Sequence, residues 1–329
     1  MTMSHSPQRA PAGVLDHPLR ARTAVPLLVL LILLPFIAEA LDEAFYIGVA
    51  SRVLIFALAA TSLNLILGFG GMVSFGHAAF VGMGAYAVGI LMQDGVTSAW
   101  IAWPAAALAG GLFAFVIGLI SLRTRGVYFI MITLAFAQML FYLMVSLKQY
   151  GGEDGLPLAA RSGLGLGLDL AEDTQFYFVV LAVCSGVFLC LARLLNARFG
   201  HVLQAIRENE TRMEALGFAV YRHKLIAFTL AGALGGLAGA LLANQNGFVS
   251  PSLLQWSQSG ILLVMVILGG VGHLYGGLAG AAAFLLIEEF ASTYTMHWQF
   301  GLGAVLLAVV LLAPNGLMSL AQRRRRAAA

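Results

Sequence analysis

Long hydrophobic runs alternate with short polar stretches along almost the whole chain. A bilayer core of about 30 Å is crossed by roughly 20 apolar residues in a helix, and the pattern predicts ten such segments. The predicted spans are 24–40, 45–68, 77–92, 98–121, 127–147, 174–195, 225–243, 257–271, 276–291 and 299–317. The third, eighth and ninth are short or interrupted by glycine. The pattern therefore predicts an all-α integral membrane protein with about ten transmembrane helices.

The composition excludes an ordinary soluble protein. Of 329 residues, 60% are hydrophobic and only 10% are charged, whereas soluble domains carry about 25% charged residues. The 38 glycines suit helices that pack closely in a membrane. Although the net charge is +3, no stripe of Arg and Lys is interleaved with aromatic residues. The sequence therefore predicts contact with membrane lipid and no nucleic-acid partner.

Basic residues are concentrated in four stretches that hold 15 of the 18 Lys and Arg residues. They are Arg9, Arg20 and Arg22; Arg123 and Arg125; Arg193, Arg198, Arg207, Arg212, Arg222 and Lys224; and Arg323 to Arg326. With ten spans all four stretches fall on one side of the membrane, which the positive-inside rule makes cytoplasmic. The opposite 148–173 loop is net acidic. Charge placement and span count therefore agree.

The predicted organisation has three parts. A cytoplasmic N-terminal tail covers 1–23, a transmembrane domain covers 24–317 and includes a cytoplasmic link at 196–224, and a basic cytoplasmic tail covers 318–329. An alternative exists at the start, because the basic leader, the apolar 24–37 and the Ala38-Glu39-Ala40 sequence are typical of a cleaved signal peptide. The many spans that follow favour a retained first span.

Two glycine-rich stretches depart from regular lipid-facing helix: residues 68–77, the first glycine segment, and residues 268–277, the second glycine segment. Irregular backbone at membrane depth persists only where protein or water satisfies it, and paired broken segments point to a transport pathway. Short turns between spans, with histidines that only pack, are the alternative. The candidate pathway residues are Asn64, Ser74, Gly76, His77, Thr133, Gln138, Gly270 and His273.

The 196–224 link alternates apolar and charged residues, which predicts a short amphipathic helix ended by Gly217. Its charges are of both signs, which disfavours attraction to lipid headgroups and favours docking to a partner protein. A solvated loop is the alternative interpretation.

Several kinds of chemistry are missing from the sequence. It has no phosphate-binding G-x-x-x-x-G-K-[ST] sequence, no H-E-x-x-H and no G-x-S-x-G, so we predict neither an ATPase nor another enzyme. Cys184 and Cys190 are six apart on one predicted helix and point to different faces, so we predict no disulfide and no metal site. A stand-alone secondary transporter or channel is the alternative function, and Arg52, Glu288 and Glu289 are the intramembrane charges available to it.

An ordered series of short matches resembles the LivM-type permeases of branched-chain amino acid ABC importers. The matches are Thr61–Leu65, Gly68, Ser74, Gly76–Phe80, Gly84–Tyr86, Arg125–Phe129, Thr133–Phe136, Gly151–Leu156, Phe199–Gly200, Ala205–Glu210, Ala215–Gly217, Lys224–Leu225, Ala227–Phe228, Leu268–Gly270, Gly272, Gly280–Ala281 and Pro314–Leu317. Each match is weak alone, and the ordered set is specific.

The resemblance implies a pseudo-symmetric helix bundle that forms the translocation pathway for branched-chain amino acids or a related small polar solute. It implies a bacterial inner-membrane location with both termini cytoplasmic. The implied partners are a second homologous permease, two cytoplasmic ATPases that bind the ATP, and a periplasmic solute-binding protein; no cofactor is implied in this chain. The residues implied in coupling to the ATPases are Arg207, Glu208, Asn209, Glu210, Glu214, Ala215 and Gly217. Met213 and Leu216 depart from the small residues usual in that loop.

Overall fold

Helices account for nearly all of the structure. The computed structural model describes residues 21–40, 43, 45–165, 169–294, 297–312 and 316–318. The α-helices in these residues are α1 (Ala21–Ala40), α2 (Phe45–Asn64), α3 (His77–Gln93), α4 (Ala99–Ser121), α5 (Val127–Ser146), α6 (Asp173–Leu195), α7 (Arg198–Glu208), α8 (Glu210–Ala215), α9 (Val220–Asn246), α10 (Trp256–Gly269), α11 (Gly276–Tyr294) and α12 (Trp298–Leu312). The predicted all-α class is confirmed. Most of the predicted tails 1–23 and 318–329 lies outside the described residues.

Ten of the twelve helices in the described part of the chain are apolar, and each overlaps one predicted span. Five helical stretches are long and apolar enough to cross a membrane: Phe45–Phe69, Ala99–Ser121, Val127–Ser146, Asp173–Leu195 and Val220–Asn246. Helices α3 and α10 are shorter, as the sequence predicted. Helices α7 and α8 lie within the 196–224 link.

The centre of the bundle is built by direct backbone contact between α3, α4 and α9. A Cβ added at Gly84 would overlap the backbone of Gly236, and one added at Gly110 would overlap the Gly232 carbonyl. Likewise, a Cβ at Gly239 would overlap the Val81 carbonyl. Small residues permit this approach between helices in lipid, where packing rather than the hydrophobic effect drives association.

Helix α5 lies at the edge of this core. Tyr128, Met131, Met139 and Tyr142 are more than half exposed along one of its faces. The opposite face carries the buried Phe129, Thr133, Ala137, Leu140 and Met144. Helix α5 therefore packs on one side only.

The 148–173 loop is fixed to one end of the bundle. Leu156 and Pro157 pair with Val249 and Phe248 in a two-residue antiparallel ladder. The Arg161 guanidinium donates to the Asn244 and Leu170 carbonyls at 3.2 and 2.9 Å and to the Asp173 carboxylate at 2.6 Å. The loop therefore ties the end of α9 to the start of α6.

Candidate functional site

The first glycine segment interrupts the helical backbone as predicted. Helix α2 continues from Asn64 into a wider π-helical turn over Leu65–Phe69, and regular helix resumes only at His77. Gly71 has φ +68°, a conformation that glycine adopts without steric cost. Such π turns often occur at functional sites.

The second glycine segment is irregular in the same way. Helix α10 ends at Gly269 and α11 begins at Gly276. Between them Gly270 has φ +119° and Gly272 has φ +75°. The two broken stretches that the sequence singled out are therefore both real interruptions between apolar helices.

Asn64, at the end of α2 just before the first glycine segment, bonds to the second glycine segment. Its Nδ2 donates to the His273 carbonyl at 2.9 Å, and its Oδ1 accepts from the Gly272 N–H at 3.0 Å. The side chain is fully buried. Its Oδ1 gives the Gly272 N–H an acceptor that the irregular turn does not supply, and its Nδ2 is a second donor to the His273 carbonyl, which also accepts from the Gly276 N–H at 2.9 Å. Segments some 200 residues apart in sequence are thus brought into direct contact.

His77 lies deep inside the bundle, at the start of α3. It is fully buried, and its Nε2 is 2.7 Å from the Ser62 hydroxyl. Since Ser62 donates its own proton to the Ala59 carbonyl at 2.7 Å, it accepts from His77 Nε2–H. A Cβ at Gly235 would lie 3.5 Å from this Nε2. Gly235 is fifteen residues beyond the start of α9, or about 22 Å along that helix.

Polar groups of neighbouring elements surround the start of α3. The Ala78 N–H donates to the Ser259 hydroxyl of α10 at 2.9 Å, and the Gly76 N–H donates to the buried Ser74 hydroxyl at 3.2 Å. A Cβ at Gly76 would lie 2.5 Å from the Thr133 carbonyl of α5. The start of α3 therefore packs against both α5 and α10.

The structure brings together most of the candidate pathway residues. Asn64, Gly270 and His273 lie at the contact of the glycine segments, and Ser74, Gly76, His77 and Thr133 lie around the start of α3. The hydroxyl of Thr133 donates locally, to the Ile130 carbonyl at 2.9 Å. Gln138 is half-buried on α5, and no hydrogen bond joins it to the other candidates among the described residues.

The 196–224 link contains two short helices where the sequence predicted one. The break falls at Asn209, whose side chain accepts from the Arg212 N–H at 2.9 Å and so caps α8. Buried Leu203, Ile206 and Met213 give the link its apolar face. Helix α8 ends as predicted, with Gly217 at φ +85°.

Besides Asn209, three of the predicted coupling residues make contacts within the chain itself. Glu210 and Glu214 lie 3.3 and 3.1 Å from Arg125, in the connection between α4 and α5. Glu210 also accepts from Lys224 at 2.7 Å. Arg207 donates from Nη1 to the Gly68 carbonyl. The link is therefore fastened to α2, α9 and the connection after α4.

The exposed part of the link includes two apolar side chains that the coupling set did not contain. Leu216 is 66% exposed and Phe218 is 41% exposed, beside the exposed Glu208, Ala215 and Gly217. Two large apolar residues directly after a polar helix were a usable indication of a docking surface in the sequence.

Charges within the apolar helices pair with each other at the opposite end of the bundle. Arg52 of α2 lies 3.5 Å from Glu288 of α11 and 5.8 Å from the Phe56 ring. In the part of the chain that the structure describes, no cluster of three or more His, Cys, Asp or Glu is arranged to hold a metal. The described residues provide irregular backbone between apolar helices, small residues that allow close helix packing, and a link held by ion pairs.

Comparison with known proteins assigns this architecture to a family. A family model described as the permease component of branched-chain amino acid transport systems matches residues 45–313. LivM of Escherichia coli (strain K12), a high-affinity branched-chain amino acid transport system permease protein, is 28% identical over 318 residues, covering 89% of this chain and 74% of the relative. LivM of Methanocaldococcus jannaschii is 24% identical over 317 residues, covering 80% of this chain and 90% of the relative.

One of the relatives is named for the import of a different solute. The autoinducer 2 import system permease protein LsrC of Enterobacter sp. (strain 638) is 28% identical over 258 residues, covering 74% of this chain and 72% of the relative. No solved structure matches the chain at a significant level.

Proposed function

The chain belongs to the branched-chain amino acid transport permease family, and from this premise we propose that it forms half of the translocation pathway of an ABC importer. It is a multi-pass membrane permease component and not an enzyme. The observation that carries the finer proposal is the 196–224 link. It exposes an apolar docking surface, while its charged residues fasten it to the end of α2, to α9 and to the connection after α4. A permease with no ATPase sequence of its own needs such a link to receive mechanical work.

We propose that all ten apolar helices cross the bacterial inner membrane, with both termini in the cytoplasm. The contacts that support this proposal fall into two groups, one at each end of the bundle. At one end the 148–173 loop meets the connection before α10 through the Leu156–Val249 pairing, and α6 meets α1 through a hydrogen bond from Thr174 to Glu39 at 2.9 Å. At the other end the link meets Arg125. Ten alternating spans give this separation, and the basic residues then lie in the cytoplasm.

The proposed partners follow from the family and from the exposed surface of the 196–224 link. Two cytoplasmic ATPases would bind the ATP, a second homologous permease would complete the pathway, and a periplasmic solute-binding protein would deliver the solute. Relatives named LivH, such as that of Salmonella typhimurium at 23% identity over 281 residues, show that similar permeases exist. No ATP site or other cofactor site is proposed in this chain.

The ATPase docking surface that we propose comprises Glu208, Ala215, Leu216, Gly217 and Phe218. Large apolar side chains at the centre of an interface contribute most of the binding free energy when a partner groove desolvates them. The exposed fractions of Leu216 and Phe218 leave them free to enter such a groove. ATP-driven closure of the ATPases would then move the link.

The gate that we propose lies where the two glycine segments meet. Asn64 bonds the end of α2 to the second segment. Irregular backbone between helices can rearrange without breaking a continuous helix. Tilting of the helices would open the pathway outward for delivery and inward for release. The solute is a branched-chain amino acid or a related small polar compound; the relatives are named for more than one solute.

Co-purification and uptake test the proposal. The tagged chain is expressed with its partner subunits, purified in detergent and assayed for bound ATPase. Changing Leu216 and Phe218 together to Gln should lower the ATPase recovered by about tenfold, a loss of about 1.4 kcal/mol in binding. Arg198→Gln, which alters an exposed residue at the start of α7, should leave recovery unchanged. Failure of the unaltered chain to bring ATPases with it would refute the proposal.

Uptake into vesicles then addresses the solute. Labelled leucine is supplied with the binding protein and ATP, and valine and urea are added as competitors. Competition by valine and not urea supports a branched-chain amino acid, and competition by urea alone supports an amide-type solute. ATP-independent uptake by the chain alone would support a stand-alone transporter instead.

A further inference from the structure

One side chain of the link reaches both glycine segments. Arg207, in the last turn of α7, donates from Nη1 to the carbonyl of Gly68. A Cβ at Gly71 would lie 3.0 Å from Arg207 Cγ. A Cβ at Gly272 would lie 2.9 Å from Arg207 Nη1. The guanidinium and its stem therefore occupy space that Gly71 and Gly272 leave open at the link end of the two segments.

The π-helical turn explains why the Gly68 carbonyl is available. In a regular α-helix this carbonyl would accept from the N–H of Met72, four residues on. Here the Met72 N–H bonds to the Ile66 carbonyl at 2.8 Å instead, and the Gly71 N–H bonds to the Leu67 carbonyl at 3.2 Å. A carbonyl freed near the membrane needs another donor, and Arg207 supplies a charged one.

The glycines are required where Arg207 lies. Gly71 and Gly272 have φ values of +68° and +75°, which L side chains rarely adopt, and any Cβ there would crowd Arg207. Behind Arg207, the N–H of Gly272 is held by Asn64. Arg207 therefore connects the link with both glycine segments, and Asn64 connects the end of α2 with the second of them.

We propose that Arg207 is a positioning residue of the transport cycle, which transmits movement of the link to both glycine segments rather than contacting the ATPase. This rests on the proposed function, because it takes the link to be what the ATPases move. The assignment differs from the one implied by the sequence, in which Arg207 belongs to the docking set. Glu208, the next residue, stays on the docking side, as adjacent helix positions point about 100° apart.

The test separates docking from transmission in the complete complex. Arg207→Gln, Arg207→Lys and the control Arg198→Gln are reconstituted with the partner permease, the ATPases and the binding protein. Arg207→Gln should retain its ATPases and their ATP hydrolysis, while the solute transported per ATP falls on the order of tenfold, as expected for the loss of a coupling interaction. Arg207→Lys, which keeps a cationic donor, should recover most of that ratio.

Every outcome of this experiment decides the proposal. Loss of ATPase from the Arg207→Gln complex would make Arg207 a docking residue and overturn the proposal. An unchanged transport ratio, or a Lys variant no better than Gln, would overturn it as well. If instead the unaltered complex holds no ATPase, the proposed function fails, and this result is distinct because it appears without any substitution.

A cross-link tests the geometry without relying on transport. In a chain with Cys184 and Cys190 changed to Ala, Gly71→Cys is combined with Arg207→Cys. A Cβ at Gly71 lies 3.5 Å from Arg207 Cβ, within the range of about 3.5–4.5 Å that disulfides require. Mild oxidation in membranes should form a disulfide between the two cysteines. Mass spectrometry of the digested chain should then detect the two peptides that contain them joined together. The pair Gly71→Cys and Arg198→Cys should stay reduced. Equal cross-linking of both pairs, or of neither, would overturn the proposal.

Discussion

Replacing Asn64 by leucine removes the amide that joins α2 to the second glycine segment and keeps a side chain that branches at Cγ. Two buried hydrogen bonds are lost, one to the His273 carbonyl and one from the Gly272 N–H. The Gly272 N–H is then a buried backbone group without a partner, which costs about 1–3 kcal/mol, whereas the His273 carbonyl keeps its bond from the Gly276 N–H. We therefore expect the free energy of unfolding to fall by about 1–3 kcal/mol.

The assay is denaturant unfolding of the purified chain in detergent, followed by its helical circular dichroism signal. Thr133→Val is the matched control, because its buried hydroxyl donates within its own helix, to the Ile130 carbonyl. This control should change the unfolding free energy by less than about 1 kcal/mol. Equal losses for the two variants would refute the reasoning, because the amide would then contribute no more than an ordinary buried polar group.

Two further predictions concern packing and the 148–173 loop. Gly236→Ala places a Cβ against a backbone carbonyl of α4 and should destabilise the chain by about 3 kcal/mol in the same unfolding assay. The control Gly186→Ala, whose Cβ would have nothing within 4 Å, should be neutral or slightly stabilising. Similar effects at both sites would contradict the packing account. Arg161→Gln removes donors to three carbonyls and a carboxylate. It should raise the rate at which added protease cuts this loop by about tenfold through local opening. Lys148→Gln, exposed in the same loop, should leave the rate unchanged, and an unchanged rate for Arg161→Gln would show that other contacts hold the loop.

The positions of the apolar helices were predictable because bilayer thickness fixes how many apolar residues a span needs. The irregular backbone of both glycine segments was predictable too, since glycine clusters weaken a helix. Their mutual contact was not. The Asn64 bridge depends on how α2 packs beside α10 and α11, and hydrophobic pattern carries no information about which helices become neighbours.

The link shows where local patterns suffice and where they fail. Its amphipathic character and its end at Gly217 follow from the sequence, but the break at Asn209 was missed, although Asn is a favoured N-cap residue. The contact of the Arg207 side chain with the bundle was also predictable, although the residue as a whole is exposed. Leu203 and Gln204 are buried, and residues three and four apart share a helix face, which predicts that position 207 lies on the side of α7 that meets the bundle. The Gly68 carbonyl that it meets is a product of the π-helical turn and has no such signature.

The glycine contacts among α3, α4 and α9 limit where the molecule can deform. Backbones that touch without intervening side chains cannot slide past one another without atomic overlap, so these helices should travel as one solid block. Rearrangement is then left to elements with looser surroundings, above all the one-sided α5. We therefore expect amide hydrogen exchange during turnover to quicken along α5 and the glycine segments, while the block keeps the slow exchange of the resting protein.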